Sequence, residues 1–211
     1  MKATKRAVPA PGRKMIVSRT DALFLMIASA AAAVTTTVLT VSGIVASAPG
    51  PVTLTLPVAT TRQAASGLSL GATGHYTALD ATLPVLPSGP AALLAWGGAL
   101  NQLGILAVLA LIFLLAYRLR SELLFTRGSA WLVGAGGFVL ALAGTVGQIL
   151  DSIARSRLAD LIGASGRVPG EYYLFSLDFN VGPLVLGIAL LLVAGVFEFG
   201  RRLQKDTEGL V

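Results

Sequence analysis

Residues 93–117 read LLAWGGALNQLGILAVLALIFLLAY, a stretch without Lys, Arg, Asp, Glu or His. An α-helix rises about 1.5 Å per residue, so about 20 apolar residues cross a hydrocarbon core of about 30 Å. The stretches 22–46, 130–150 and 179–197 also lack charged residues and are long enough to cross. One charge at mid-span would oppose insertion by roughly 2.5–3.5 kcal/mol. The sequence therefore predicts four transmembrane helices.

The composition agrees with a membrane protein. Of the 211 residues, 55% are hydrophobic and 12% are charged, whereas soluble domains are about 25% charged. The net charge of +6 does not indicate nucleic-acid binding, because the basic residues flank the apolar stretches instead of lining one helix face. We expect the lipid bilayer to be the partner of these charges, and no direct nucleic-acid partner.

Few residues suited to catalysis or metal binding are present. The chain has no Cys and a single His, His75, which excludes disulfides, thiolate metal sites and Cys nucleophiles. We predict neither a cofactor nor a metal site. We also predict that the protein is not an enzyme, because the acidic residues of the two longer loops show no catalytic spacing; they are Asp80, Asp151, Asp160, Glu171 and Asp178.

The basic residues predict the orientation of the helices. Twelve of the sixteen Lys and Arg residues fall on one predicted side, and an excess of Lys and Arg marks the cytoplasmic side. Both termini are therefore predicted to be cytoplasmic, in a multi-pass protein of the cell membrane. Trp96, Tyr117 and Trp131 lie at predicted interfaces, where aromatic side chains anchor helix ends. The twelve residues are Lys2, Lys5, Arg6, Arg13, Lys14, Arg19, Arg118, Arg120, Arg127, Arg201, Arg202 and Lys205.

The first apolar stretch has a second interpretation, a cleaved signal peptide that ends at Ala46-Ser47-Ala48. We favour a retained helix for two reasons. The apolar run of 22–46 is longer than the 7–15 residues usual in signal peptides, and Pro49 would directly follow the cut.

The predicted fold class is a membrane all-α protein: a four-transmembrane-helix bundle with a small extracytoplasmic β-containing cap, built from the loops that join helices 1 and 2 and helices 3 and 4. The predicted segments are a basic cytoplasmic arm (1–21), helix 1 (22–46), an extracytoplasmic loop (49–92), helix 2 (93–117), a cytoplasmic turn (118–129), helix 3 (130–150), a second extracytoplasmic segment (151–178), helix 4 (179–199) and a cytoplasmic tail (200–211).

Alternating residues predict the strands of the cap. Val52, Leu54, Leu56 and Val58 alternate with Thr and Pro, which is typical of a strand with one buried face, and residues 76–83 are its candidate partner. In the second loop the helical period continues from Gln148 to Gly163, where glycine is expected to break the helix. The segment is amphipathic, with Asp151 and Arg155 spaced for an i,i+4 ion pair on the face opposite the apolar residues Leu150, Ala154, Leu158 and Leu161. Residues 172–179 predict a further strand that pairs with the first-loop strands. The cap is either a lid over helix ends, which we favour, or a ligand-sensing or partner-binding module.

The predicted helices contain few polar residues. Asn101, Gln102 and Gln148 are candidates for interhelical polar contacts, which we favour over a substrate site. Small-residue stripes on the first and third helices predict close packing between these two helices, within or between subunits, and hence a possible homo-oligomer. The stripes are Ser29, Ala33 and Thr37, and Gly137, Ala141, Gly144 and Thr145.

Two segments form the predicted cytoplasmic surface, RLRSELLFTRG from Arg118 to Gly128 and FEFGRRLQKDTEGLV from Phe197 to Val211. The second segment continues in a regular pattern beyond the basic residues that are needed to orient helix 4. Taken alone, however, each segment is explained more simply as a topology signal, followed in the second by a frayed tail. The candidate interaction residues are Phe125, Thr126, Gly200, Leu203, Asp206 and Glu208.

Within these segments the chain resembles an uncharacterised bacterial four-pass integral membrane family, often encoded beside a small helix-turn-helix regulator. The resemblance covers roughly 95–211. Leu124-Phe125-Thr126 before an apolar helix carries it, together with the spacing Gly-x-x-Leu-x-x-Asp-x-Glu from Gly200 to Glu208. It implies four membrane helices and a cytoplasmic protein partner, such as that regulator. The arm from Met1 to Arg19 is longer than is usual in the family, so no role for the arm is implied.

Two functions are compatible with these features. The first is a non-enzymatic membrane adaptor or sensor that holds a cytoplasmic protein partner. The alternative is a small transport or permeability component that acts as an oligomer. This alternative is suggested by the small-residue stripes and by the polar residues Asn101 and Gln102. The sequence leaves open the ligand or signal, the oligomeric state and the sign of any regulation.

Overall fold

The computed structural model describes residues 19–46, 50–57, 69, 78–120, 127–164 and 179–208. These residues form four helices, α1 (Arg19–Ala46), α2 (Ser88–Arg120), α3 (Arg127–Leu161) and α4 (Gly182–Glu208), and two strands, β1 (Val52–Pro57) and β2 (Ala78–Leu83). All four helices are long and apolar enough to cross a membrane. The predicted four-helix membrane architecture is confirmed at this level. Most of the predicted arm lies outside the described residues. The predicted strand at 172–179 also lies outside them, except for Phe179, which is not in a strand.

The helix bounds differ from the predicted segments at several ends. Helix α2 begins at Ser88 and includes Pro90 in its first turn, where a missing N–H costs nothing because first-turn N–H groups have no acceptor within the helix. Helix α3 continues without interruption from the predicted membrane span into the amphipathic segment. Helix α4 extends to Glu208, so the predicted tail begins as a continuation of the last helix.

The helices contact one another in chain order: α1 packs on α2, α2 on α3 and α3 on α4. Among the described residues, α1 and α3 share no extensive contact, so the prediction that their stripes pack together within the chain is wrong. The α3 stripe instead faces α4. A Cβ atom added to Gly137 would lie 2.7 Å from the Gly187 carbonyl oxygen, and one added to Gly144 would lie 2.6 Å from Pro183 Cβ.

Helices α2 and α3 also approach at glycines. A Cβ atom on Gly97 would lie 2.9 Å from the Gly147 carbonyl oxygen, and a Cβ atom on Gly147 would lie 2.9 Å from the Gly97 carbonyl oxygen. In lipid, where burial of apolar side chains between helices gains little, such backbone contact is a main source of attraction.

The two strands pair antiparallel, with Val52 opposite Leu83 and Pro57 opposite Ala78. The predicted alternation is confirmed in β1, because Leu56 is fully buried while Thr53 and Thr55 are exposed. Leu56 packs with Leu158 and Ala159 of α3 in a small core. Both strands of this described sheet come from the first loop. We call the end of the helices that carries the sheet the sheet end, and the opposite end the tail end.

Helix α3 stops at the predicted breaker. Gly163 has a φ of 73°, a left-handed conformation that glycine adopts without steric cost. The Ala164 N–H donates to the Ala159 carbonyl at 2.9 Å and the Gly163 N–H donates to the Asp160 carbonyl at 3.1 Å, the pair of bonds that defines a Schellman cap. The amphipathic face is confirmed at Ala154 and Leu158, which are buried, but not at Leu161, which is exposed.

A candidate ligand cavity at the sheet end

Exposed aromatic residues indicate where a bilayer would meet the helices. Trp96 and Tyr117 are both exposed on α2, and they lie 21 positions apart, which corresponds to about 31 Å of helix. This matches the thickness of the hydrocarbon core, and aromatic side chains favour its two boundaries. Exposed Trp131 lies at the start of α3, as expected for the tail-end boundary. Asn101 then lies about 7 Å inside the sheet-end boundary, five residues from Trp96.

A half-open cavity of about 800 Å³ lies at this boundary, between the sheet and helices α2, α3 and α4. Its apolar part includes Leu56, Pro57 and Pro183, and the glycines at 97, 98 and 147 expose backbone to it. Its polar side chains converge from α2, from α3 and from the residue two positions before α4, as expected of a binding site; they are Asn101, Gln148, Asp151, Ser152, Arg155 and Asn180.

The charged residues of the cavity form one ion pair. The Arg155 Nε donates to Asp151 Oδ2 at 2.6 Å, as the i,i+4 spacing predicts. The Arg155 Nη1 also donates to the Thr55 carbonyl at 3.0 Å, so the same side chain connects α3 to β1. Both side chains remain about one-third exposed, at 33% for Arg155 and 39% for Asp151. The pair therefore contributes no net charge to the cavity wall.

The neighbouring amides Asn101 and Gln102 have different surroundings. Gln102 is buried against α1, where its Nε2 donates to the hydroxyl oxygens of Thr36 and Thr37, both at 3.0 Å, and its Oε1 accepts from Thr40 at 3.1 Å. Asn101 is exposed and lines the cavity; its side chain has no hydrogen-bond partner among the described residues. Successive helical residues point about 100° apart, so Gln102 contributes to the α1–α2 interface and Asn101 to the cavity.

Gln148 fixes the start of α4 at the rim of the cavity. Its Nε2 donates to the Gly144 carbonyl at 3.1 Å within α3, and its Oε1 accepts from the Asn180 backbone N–H at 2.8 Å. The Asn180 side-chain oxygen in turn accepts from the Gly182 N–H at 2.8 Å. These bonds satisfy donors at and just before a helix N-terminus, which have no acceptor in the helix itself, and they join the beginning of α4 to α3.

The tail end contains a second set of ion pairs and hydrogen bonds. The Arg118 Nη1 donates to the buried Ser129 hydroxyl at 2.6 Å, joining α2 to α3. On α4 the Glu198 carboxylate accepts from Arg201 Nε at 3.0 Å and from Arg202 Nε at 3.4 Å. The two arginines therefore point back along the helix towards Glu198.

The predicted interaction residues of the tail end are only partly described. Gly200 and Leu203 are exposed on α4. Asp206 and Glu208 belong to the same helix, but their side chains lie outside the described part of the chain. Phe125 and Thr126 fall wholly outside it. Their role as an interaction surface stays a prediction.

Two features of these sites were missed in the sequence. No polar contact was predicted for the threonines of α1, although the spacing of Thr36, Thr37 and Thr40 places all three on one helix face. The cavity combines residues distant in sequence, and no local pattern indicates it. Within the described ranges, no three His, Asp or Glu side chains lie close enough to hold a metal ion.

The described residues thus define a class of protein: four helices of membrane-spanning length and composition, a small antiparallel sheet at one end, and a half-open polar cavity beneath that sheet. No protein-family model matches the chain, and neither does any curated protein or solved structure. The resemblance to a bacterial four-pass family therefore stays a prediction.

Proposed function

We propose that the protein is a non-enzymatic membrane sensor or adaptor, with the cavity outside the cell and a cytoplasmic protein partner at the tail end. The observation that carries this proposal is the continuity of α4. It begins at the cavity rim, next to Asn180 and with Pro183 in its first turn, and continues as one helix to Glu208. Its 27 residues correspond to about 40 Å, so one rigid element connects both ends.

The distribution of basic residues supports this orientation in the cell membrane. Arg118, Arg201 and Arg202 lie at the tail end of the described helices, and the basic arm before α1 lies on the same side of the predicted topology. The positive-inside rule places this side, and both termini, in the cytoplasm. The sheet and the cavity then face outward.

The proposed partner surface is the tail-end part of α4 together with the segment 118–129, which the sequence predicts as a cytoplasmic turn. Leu203 is 52% exposed there, and it lies beyond the paired Glu198, Arg201 and Arg202, on the part of the helix that the orientation places in the cytoplasm. An apolar side chain on a helix that leaves the membrane is a suitable contact for a soluble protein. A small helix-turn-helix regulator is the partner that the family resemblance implies.

Affinity purification from membranes tests this function. The full chain is compared with a chain that lacks residues 203–211 and with Leu203→Ala. The matched control is Leu192→Ala, which truncates a leucine that is even more exposed, on the membrane part of the same helix. We expect a specific soluble protein to be lost with the deletion, reduced with Leu203→Ala and retained with Leu192→Ala. The same co-purifying proteins from all four chains would contradict the proposal.

The geometry gives less support to transport. A transport component needs a lined polar path across the bilayer. Of the two polar residues that motivated this alternative, only Asn101 lines the cavity, whereas Gln102 is fully engaged with α1.

A further inference from the structure

We propose that the sheet-end cavity binds a small, uncharged, hydrogen-bonding molecule from the aqueous phase. This inference rests on the proposed sensor function, because such a molecule would be the signal that the sensor detects. Three observations support it: the depth of Asn101, the charge balance of the cavity wall and the size of the cavity.

Asn101 is a polar side chain in an unusual position. It lies about 7 Å inside the boundary marked by Trp96, and its amide has no hydrogen-bond partner among the described residues. An amide without a partner costs roughly 1–3 kcal/mol when it leaves water, judged from mutations in proteins. Polar residues at this depth are therefore rare unless they line a functional cavity. The cavity gives this amide access to a bound molecule.

The charge balance of the wall favours an uncharged ligand. Asp151 and Arg155 neutralise each other at 2.6 Å, and Arg155 also holds the Thr55 carbonyl of the sheet. An anion or a cation would compete with this pair and leave one partner uncompensated, which is costly away from water. An uncharged molecule would instead bond to the Asn101 amide and to the Ser152 hydroxyl, which line the cavity beside the pair.

The size of the cavity fits a small molecule. Its volume of about 800 Å³ lies within the range of about 300–1,000 Å³ found for small-molecule sites. Apolar walls at Leu56 and Pro183 would contact the non-polar faces of a sugar-like or amide-bearing compound. The half-open shape at the boundary gives a molecule access from water.

Thermal unfolding of the full chain in lipid nanodiscs tests the inference. The uncharged probes are N-acetylglucosamine and sucrose, and the charged probes are citrate and putrescine. We expect an uncharged probe to raise Tm by about 5–10 °C at a concentration of about one hundred times its Kd. Titration calorimetry on the same sample gives the Kd.

Three variants separate binding from stability. Asn101→Leu removes the free amide and is expected to weaken the Kd about tenfold. Ser152→Phe removes the hydroxyl and places a bulky ring in the cavity beside Asn101, and it should abolish the Tm rise. Gln102→Leu is the matched control, because it removes the neighbouring amide that faces α1; it should lower the starting Tm but keep the ligand-induced rise.

The inference is overturned if no uncharged probe raises Tm, if only charged probes do, or if Asn101→Leu and Ser152→Phe leave the rise unchanged. These outcomes are independent of the capture of a cytoplasmic protein by the tail end. A captured partner without ligand binding would overturn the ligand inference alone, whereas ligand binding without a captured partner would contradict only the adaptor part of the proposed function.

Discussion

The α1–α2 and α3–α4 interfaces are held together by different interactions. At the first, one amide on Gln102 forms three hydrogen bonds with threonines of α1. At the second, glycines allow close approach: Gly137 lies against the backbone of Gly187, and Gly144 lies against the ring of Pro183. Lipid chains are as apolar as leucine side chains, so transmembrane helices associate through polar bonds and close packing. In this protein, polar bonds predominate at the α1–α2 interface and close packing predominates at the α3–α4 interface.

The difference predicts different responses to substitution. A polar contact loses the energy of a few hydrogen bonds when one partner is removed, and the remaining groups find other partners nearby. A backbone contact leaves no room for a side chain, so any larger residue must separate the helices. We therefore expect the α3–α4 interface to be the less tolerant of the two.

The largest effect is expected for Gly137→Leu. A Cβ atom there would lie 2.7 Å from both the Gly187 carbonyl oxygen and Leu190 Cβ, and backbone atoms cannot yield to it. Overpacking costs typically 1–3 kcal/mol, and we expect about 3 kcal/mol of lost stability because the clash involves main-chain atoms. Thermal unfolding in nanodiscs measures it. Gly195→Leu on α4 is the control, because nothing lies within 4 Å of that position.

A disulfide reports directly on the same interface, since the chain has no native Cys. A Cβ atom at Gly134 would lie 3.5 Å from Ala194 Cβ, within the range that a disulfide requires. Gly134→Cys with Ala194→Cys should cross-link, and adding Gly137→Leu should prevent it. The control pair, Gly134→Cys with Gly195→Cys, should not react. Equal cross-linking with and without Gly137→Leu would show that the close approach is not needed.

The next largest effect is expected for Gln102→Leu. Three interhelical bonds are lost, each worth about 0.6 kcal/mol on average in membrane proteins. The threonines retain acceptors, because Thr36 and Thr37 already donate to the Ala33 carbonyl at 3.3 and 2.7 Å. We expect a loss of about 1–2 kcal/mol, measured by unfolding, and almost none for Asn101→Leu. Equal losses of stability for Gln102→Leu and Asn101→Leu would contradict the assignment of Gln102 to the α1–α2 interface and of Asn101 to the cavity.

The sequence predicts the helices and their close packing, but it does not predict which helices pack together. The helices themselves follow from uninterrupted apolar length, because a charge-free run of about 20 residues is stable across a bilayer wherever it occurs. The stripe of Gly137, Ala141 and Gly144 correctly indicated close packing. It did not indicate the partner, because a small-residue face fits any other helix that offers glycine or a similarly small residue.

The candidate site was harder to predict than the helices. Asn101 and Gln102 are adjacent and chemically alike, and only the three-dimensional arrangement assigns one to the cavity and the other to α1. The Asp151–Arg155 pair followed from i,i+4 spacing, but the bond from Arg155 to the Thr55 carbonyl joins residues 100 positions apart. Non-local contacts of this kind leave no periodic signal in the sequence.

A smaller effect is expected where the sheet meets α3. Arg155→Met keeps the length of the side chain but removes the bonds to Asp151 and to the Thr55 carbonyl. Because the pair is partly exposed, we expect a loss of only about 0.5–1 kcal/mol. Amide exchange in β1 should become faster while exchange in α1 stays constant. Arg157→Met, an exposed arginine on the same helix, is the control, and faster exchange of β1 in both variants would contradict a specific role for Arg155.

The smallest effect is expected within the sheet, where solvent competes for every bond. The hydroxyls of Thr53 and Thr82 lie 2.9 Å apart on paired strands, and exposed cross-strand pairs contribute roughly 0.2–1 kcal/mol. A double-mutant cycle with Thr53→Val and Thr82→Val should give a coupling near the lower limit, since water replaces the lost bond. The pair Thr55 and Asp80, joined at 2.7 Å, provides the comparison: its charged acceptor should give the larger coupling, because hydrogen bonds to ionised groups are stronger. Equal couplings would mean that solvent outweighs this difference at the sheet surface, in contrast to the helix interfaces, where lipid offers no competing partner.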